Sequence, residues 1–212
     1  MCADCHAELP WNDSACARCA LPLPTPSTAC GQCLQAPPSF VSCLAPLRYA
    51  APLDRLLPRF KFHAGLAEGR LLAELILQRV TLDSCAASFG ASDLLVPMPL
   101  HRRRLGQRGY NQALELARPL ARAWGLRLDT QALHRTRATA AQTDLDAAAR
   151  RRNVRGAFAA LQGCIRGRRI LLLDDVITTG ATVREATATL LAAGAVEVRV
   201  FAAARAPLPG HR

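Results

Sequence analysis

The chain of 212 residues is long enough for one α/β domain and a small appendage, and half of it is apolar. It has no apolar run near eighteen residues and opens on Met-Cys-Ala-Asp-Cys-His rather than a basic-then-apolar leader. Those features argue against a spanning helix or secretory signal and predict a cytoplasmic protein. The formal charge of +11 is carried almost wholly by arginine, with Lys61 the single lysine; an excess of that size favours polyanionic partners, phosphorylated metabolites or nucleic acid.

Six of the nine cysteines lie in the first 33 residues as three C-x2-C pairs, Cys2/Cys5, Cys16/Cys19 and Cys30/Cys33, with ten residues between successive pairs. In a cytoplasmic chain this spacing reads as zinc binding rather than disulfides. Two such turns supply four thiolates to one tetrahedral ion, which leaves no open position for chemistry and makes the metal structural. The preferred site is Cys16, Cys19, Cys30 and Cys33, leaving Cys2 and Cys5 as weaker metal ligands without partners. A site built from Cys2/Cys5 and Cys16/Cys19 has the same spacing and stays open. With proline-rich loops and little core of its own, residues 1–44 are expected to form a zinc-ribbon module.

Residues 45–92 read as a helical hood and connector. Leu47–Ala50 suits a short strand, and Leu53, Leu56, Leu57 and Phe60 keep helical spacing despite Pro58. Lys61 follows; a lone lysine after a helix is ordinarily solvated, although this one could reach a phosphate. A second helix is predicted over Leu66–Val80, then a small-residue connector from Ser84 to Ser92.

The third unit, residues 93–212, opens on a buried strand and a proline-stiffened turn, Asp93–Pro99. Arg102, Arg103, Arg104 and Arg108 follow at the strand's C-terminal end, where open α/β sheets bind ligands, so they are candidates for pyrophosphate or nucleic acid. A helix is expected over Gln112–Trp124, closed by Gly125. Residues 134–158, with Arg135, Arg137, Gln142, Asp144, Asp146 and Arg150–Arg152, look like a flap bearing cations that could close over a pyrophosphate. Cys43, Cys85 and Cys164 stand alone and read as packing residues.

The most informative stretch is Ile170–Val183. Four apolar residues without alternation suit a strand covered on both faces, and the run reaches two carboxylates, Asp174 and Asp175. The turn Thr178-Thr179-Gly180-Ala181-Thr182 then leads into a helix ending near Ala193, before Gly194, and a second β-rich run, Val196–Phe201. Unpaired amides at the helix start attract an anion, Gly180 permits close backbone approach, and threonine hydroxyls add donors. GxxxxGK[ST] is absent, so this is not an NTPase P-loop. Paired carboxylates beside a phosphate suit ribose hydroxyls or a shared divalent cation.

This stretch resembles the 5-phosphoribosyl 1-diphosphate (PRPP) signature of type I phosphoribosyltransferases at each position from Ile170 to Thr182. The resemblance implies that Asp174 and Asp175 contact the ribose hydroxyls and act in catalysis, and that Thr178, Thr179, Gly180, Ala181 and Thr182 hold the 5′-phosphate. Together with the cysteine knuckles, Val96-Pro97-x-Pro99, Arg108-Gly-Tyr-Asn-Gln112 and Arg152-Asn153, it makes the whole chain similar to the ComF family, which joins a double zinc ribbon to a type I phosphoribosyltransferase-like domain. That family commonly carries a further C-x2-C upstream of the pair that here begins at Cys2. The resemblance implies a parallel sheet flanked by helices, structural Zn2+, Mg2+ arriving with PRPP, and a role in natural competence. There the partners would be single-stranded DNA and a DNA-translocating protein. The alternatives are an active transferase with an unidentified acceptor and a PRPP-sensing regulator without turnover; Phe201-Ala-Ala-Ala-Arg205 offers little platform for a nucleobase.

Overall fold

Apolar runs too continuous for a half-exposed strand dictate a sheet covered on both faces, and the computed structural model has one at its centre. The structure describes residues 2–62, 65–80, 94–138 and 152–207. Within them the chain forms α1 (Ala3–Ala7), α2 (Gly31–Gln35), β1 (Cys43–Leu44), β2 (Leu47–Arg48), α3 (Leu53–Phe62) and α4 (Leu66–Arg79). Next come β3 (Leu94–Pro97), α5 (Arg102–Arg108), α6 (Gln112–Ala123), β4 (Arg127–Leu128) and β5 (Leu133–Arg135). The last elements are β6 (Phe158–Ala160), α7 (Gln162–Ile165), β7 (Arg169–Ile177), α8 (Ala181–Ala192) and β8 (Glu197–Arg205).

The main sheet runs β1-β8-β7-β3-β4, with β2 also on β8, and every pairing in it is parallel. From β3 the chain crosses by α6 to β4 on one side; from β7 it crosses by α8 to β8 on the other. Right-handed crossovers in opposite directions put the two helices on opposite faces. The strand order therefore reverses between β3 and β7, and the C-terminal ends beside such a switch point are where open α/β sheets bind ligands.

Side-chain volume sets the layers. Leu171, Leu172, Leu173, Val198, Val200 and Phe201 are buried in the middle of the sheet. Leu116, Ala117 and Leu120 bring one face of α6 onto it, and Trp124 meets the Phe201 ring edge-on at 5.1 Å between centroids. The helices α3 and α4 approach unusually closely at Gly69, where a Cβ would lie 2.4 Å from the Phe60 ring. Only glycine fits there.

Several elements depart from the expected bounds. Strand β7 does not stop at the acidic pair but continues to Ile177, because β8 also runs on to Arg205 and pairs Asp174 with Ala202, Val176 with Ala204 and Ile177 with Arg205. Small alanines on the partner strand leave room for that extension. The arginine run forms a helix, α5, capped by the His101 side chain and closed by Gly109 at φ 79°. Helix α8 starts at Ala181, two residues before the expected start. Strands β5 and β6 form a separate antiparallel pair that brackets the expected flap. The flap residues Gln142, Asp144, Asp146, Arg150 and Arg151, the connector Ser84–Ser92 and Cys85 lie outside the described residues.

The cysteine module packs onto the sheet edge. Asn12 donates to the carbonyls of Ala20 at 2.9 Å and Ala45 at 3.0 Å, and Arg79 of α4 pairs with Asp13 and lies over the Trp11 ring. Cys43, read as a packing residue, is buried in β1.

Candidate functional site

The crevice is built from two strand ends. On β7, Asp174 and Asp175 precede Val176 and Ile177, so the turn Thr178–Gly180 leaves the sheet and enters α8 with Gly180 at φ 78°. A side chain at Gly180 would have space, with no atom nearer than 3.9 Å, but the left-handed backbone itself favours glycine. Thr179 Oγ1 accepts from the Ala181 amide at 3.4 Å. Asp174 and residues 176–183 line a pocket at this point, so the residues expected to hold a phosphate and one acid expected at the ribose surround one space.

The acids differ in surroundings. Asp175 is 8% exposed, and its Oδ2 lies 2.9 Å from Lys61 Nζ at the end of α3. Burial opposes the charge on Lys61, but the Asp175 carboxylate more than compensates and holds its pKa above the usual lysine value. Asp174 has the opposite balance: burial first, then the neighbouring Asp175 charge, pushes its carboxyl up to about 7.

Across the crevice, β3 hands the chain to the arginine helix. The Met98 amide donates to the Leu173 carbonyl at 2.7 Å, which fixes the two strand ends to each other. Arg104 and Arg108, one turn apart on α5, are half-buried, whereas Arg102 and Arg103 are exposed. Burial lowers the Arg108 pKa while Asp175 opposes that change; Arg135 on β5 is lowered by burial and by Arg104 and supported by Asp174. Arg135 also lies over the Phe158 ring, 5.4 Å from its centroid. Lys61 and Arg108 thus act on Asp175 and Arg135 acts on Asp174, while Arg104 is the like charge felt by Arg108 and Arg135. The four arginines expected from the sequence divide by burial: Arg104 and Arg108 are half-buried, Arg102 and Arg103 exposed.

The motif Arg108-Gly-Tyr-Asn-Gln112 assembles this wall. Arg108 donates to Gln112 Oε1 at 2.9 Å, Asn111 caps α6 through the Ala113 amide and donates to the Met98 carbonyl, and the Tyr110 hydroxyl donates to the Phe60 carbonyl. Beneath the loop, Arg205 is 2% exposed and donates to the carbonyls of Ile177, Thr178 and Ala206, and to that of Cys19 at 3.1 Å. It ties a cysteine knuckle directly to the turn. Sequence reading missed both Lys61 as a partner of Asp175 and Arg205 as an anchor. The solitary lysine was a signal for the first; nothing local signalled the second.

The preferred metal residues meet as expected. The ligand atoms of Cys16, Cys19, Cys30 and Cys33 all lie within 4.8 Å of one another, with Cys19 and Cys30 sulfurs 3.7 Å apart. Thiolates about 2.3 Å from a tetrahedral zinc are about 3.8 Å from each other, so four thiolates at this spacing fit a structural zinc. Burial pushes the Cys19 thiol up to about 11 and Cys33 higher still, a cost that a bound cation would offset. Cys2 and Cys5 are exposed, the Cys5 amide donating to Cys2 Sγ at 3.5 Å, and they join no cluster of three or more possible ligands among the described residues.

The chain is similar to known proteins. Residues 111–208 match the Phosphoribosyl transferase domain family. DNA utilization protein YhgH of Escherichia coli is 37% identical over 172 residues, 81% of this chain and 75% of its own length. Competence protein F of Haemophilus influenzae is 34% identical over 175 residues, 82% of this chain and 76% of its own. Among solved structures, the glutamine PRPP amidotransferase of B. subtilis aligns over 68% of this chain at 22% identity and TM-score 0.39, and the aligned region spans 26% of that chain. No helix among the described residues is long and apolar enough to cross a membrane.

Proposed function

Because the chain belongs to the ComF family, that of competence protein F and DNA utilization protein YhgH, we propose that it binds PRPP and acts in the uptake or use of single-stranded DNA. The observation that carries this reading is the convergence, at the sheet's switch point, of the acidic pair Asp174/Asp175, the turn 178–182 and the cations Arg104 and Arg108. The 5′-phosphate lies on the amides and hydroxyls of Thr178–Thr182, the ribose hydroxyls on Asp174 and Asp175, and the diphosphate towards the arginine wall. Carboxylates and diphosphate oxygens are the hard ligands that Mg2+ takes, so the donor set suits the ion that would accompany PRPP and neutralise its leaving group.

Binding without nucleobase transfer is the better-supported reading. Phe201 and Ala202–Ala204, which offer the nearest thing to an acceptor platform in the sequence, are wholly buried in β8 and cannot stack on a base. The exposed Arg102 and Arg103 are the proposed contact for single-stranded DNA, and a DNA-translocating competence protein the proposed partner. Thermal unfolding tests the sugar-phosphate part. PRPP with Mg2+ at one hundred times its Kd should stabilise the protein by about 2.7 kcal/mol. Absence of any shift at millimolar PRPP would remove it.

A further inference from the structure

We propose that Lys61 is the residue by which this site distinguishes a ribose carrying a diphosphate at C1 from plain ribose 5-phosphate. Its ammonium holds Asp175 while the site is open, and it donates to the diphosphate once ribose hydroxyls engage the carboxylate. The inference rests on the reading of the crevice as a PRPP site.

Composition gives the first reason. Of 27 lysines and arginines, position 61 alone is lysine, and it is the one whose nitrogen lies 2.9 Å from Asp175. A guanidinium there would form a planar, two-pronged bond with the carboxylate and hold it out of reach of a ligand. An ammonium is a compact charge with three donors, so one can stay on Asp175 while the others turn to a second acceptor.

Placement gives the second. Lys61 lies in the last turn of α3, and its neighbour Phe60 is fixed three ways: buried at 1% exposure, packed against the tilted Tyr110 ring at 5.8 Å between centroids, and bonded through its carbonyl to the Tyr110 hydroxyl. Gly69 lets α4 close against the Phe60 ring. Tyr110 belongs to the same segment as Arg108, so the lysine and the arginine wall are positioned by one piece of structure. The side chain nevertheless keeps 24% of its surface open to solvent, enough to reach a ligand arriving from the crevice.

Ribose 5-phosphate can use the turn and the acids but offers Lys61 no diphosphate. Calorimetry of both ligands with Mg2+ against wild type, Lys61→Met and Lys61→Arg separates the roles. Lys61→Met should weaken PRPP about tenfold or more relative to whatever change it makes in ribose 5-phosphate affinity, the loss expected for one charge-assisted hydrogen bond. Lys61→Arg should recover less than half of the lost PRPP binding energy. Retained ribose 5-phosphate binding certifies that the variants are folded. Equal loss of both ligands, or no change in their affinity ratio, would overturn the Lys61 assignment while leaving the PRPP site standing. Failure of wild type to bind either ligand would overturn both.

Discussion

The adjacent carboxylates at the end of β7 have different surroundings. Asp175 reaches Lys61, whereas Asp174 is raised to about 7 by burial and by its neighbour. Between the ordinary carboxyl value of 3.8 and about 7, the folded protein keeps a proton that the unfolded chain has released. Stability therefore falls as pH rises through that window and is highest below it. Asp174→Asn should flatten the fall between pH 5 and pH 8 and raise the urea midpoint at pH 8, compared with wild type at each pH. A midpoint lowered at pH 8 would contradict the protonation account. At this scale the sequence was legible where the chemistry is local: Asp174, Asp175 and the turn 178–182 are contiguous. Lys61 and Asp175 lie far apart in sequence, and no spacing rule links them before the fold does.

Among elements, the turn after β7 draws rigidity from below. The Arg205 guanidinium is buried and gathers the carbonyls of Ile177, Thr178, Ala206 and Cys19. Buried carbonyls left without a donor cost about 1–3 kcal/mol. Arg205→Met should lower the urea midpoint by at least that equivalent at unchanged slope, and should also speed zinc loss to a chromogenic chelator, because Cys19 is one of its four anchors. Zinc release at the wild-type rate would separate the knuckle from the turn. Strand ends were the least legible feature: Asp-Asp reads as a terminus, yet alanines 202–204 on β8 let the pairing continue to Ile177. The arginine helix was hidden for a related reason. Its glycine and four like charges argue against a helix, while the His101 and Gly109 caps supply what propensity does not.

Over the whole molecule, the net charge of +11 is carried by arginines in different surroundings. Arg104 and Arg108 are half-buried and Arg205 is buried under the turn, while Arg102 and Arg103 are exposed. Each arginine that neutralises a phosphate of a single strand contributes about 0.7 to the slope of log affinity against log salt. Arg102→Ala/Arg103→Ala should therefore reduce that slope by about 1.4 for labelled single-stranded DNA, without altering PRPP affinity; an unchanged slope would place the nucleic-acid surface elsewhere. The parallel sheet and the four-cysteine site were legible because both write themselves as short, regular patterns. How the knuckle and the crevice share Arg205 is a property of the folded chain alone.

The central claim is that twin carboxylates at the end of β7 take the hydroxyls of a ribose whose phosphate sits on the following turn. Titration calorimetry of PRPP and Mg2+ into wild type and the Asp174→Asn/Asp175→Asn double variant tests it most directly. The account predicts saturable binding in wild type and a loss of about a hundredfold in the double variant, as expected for removing both carboxyl acceptors of the ribose hydroxyls. Equal affinity in the two proteins would contradict it.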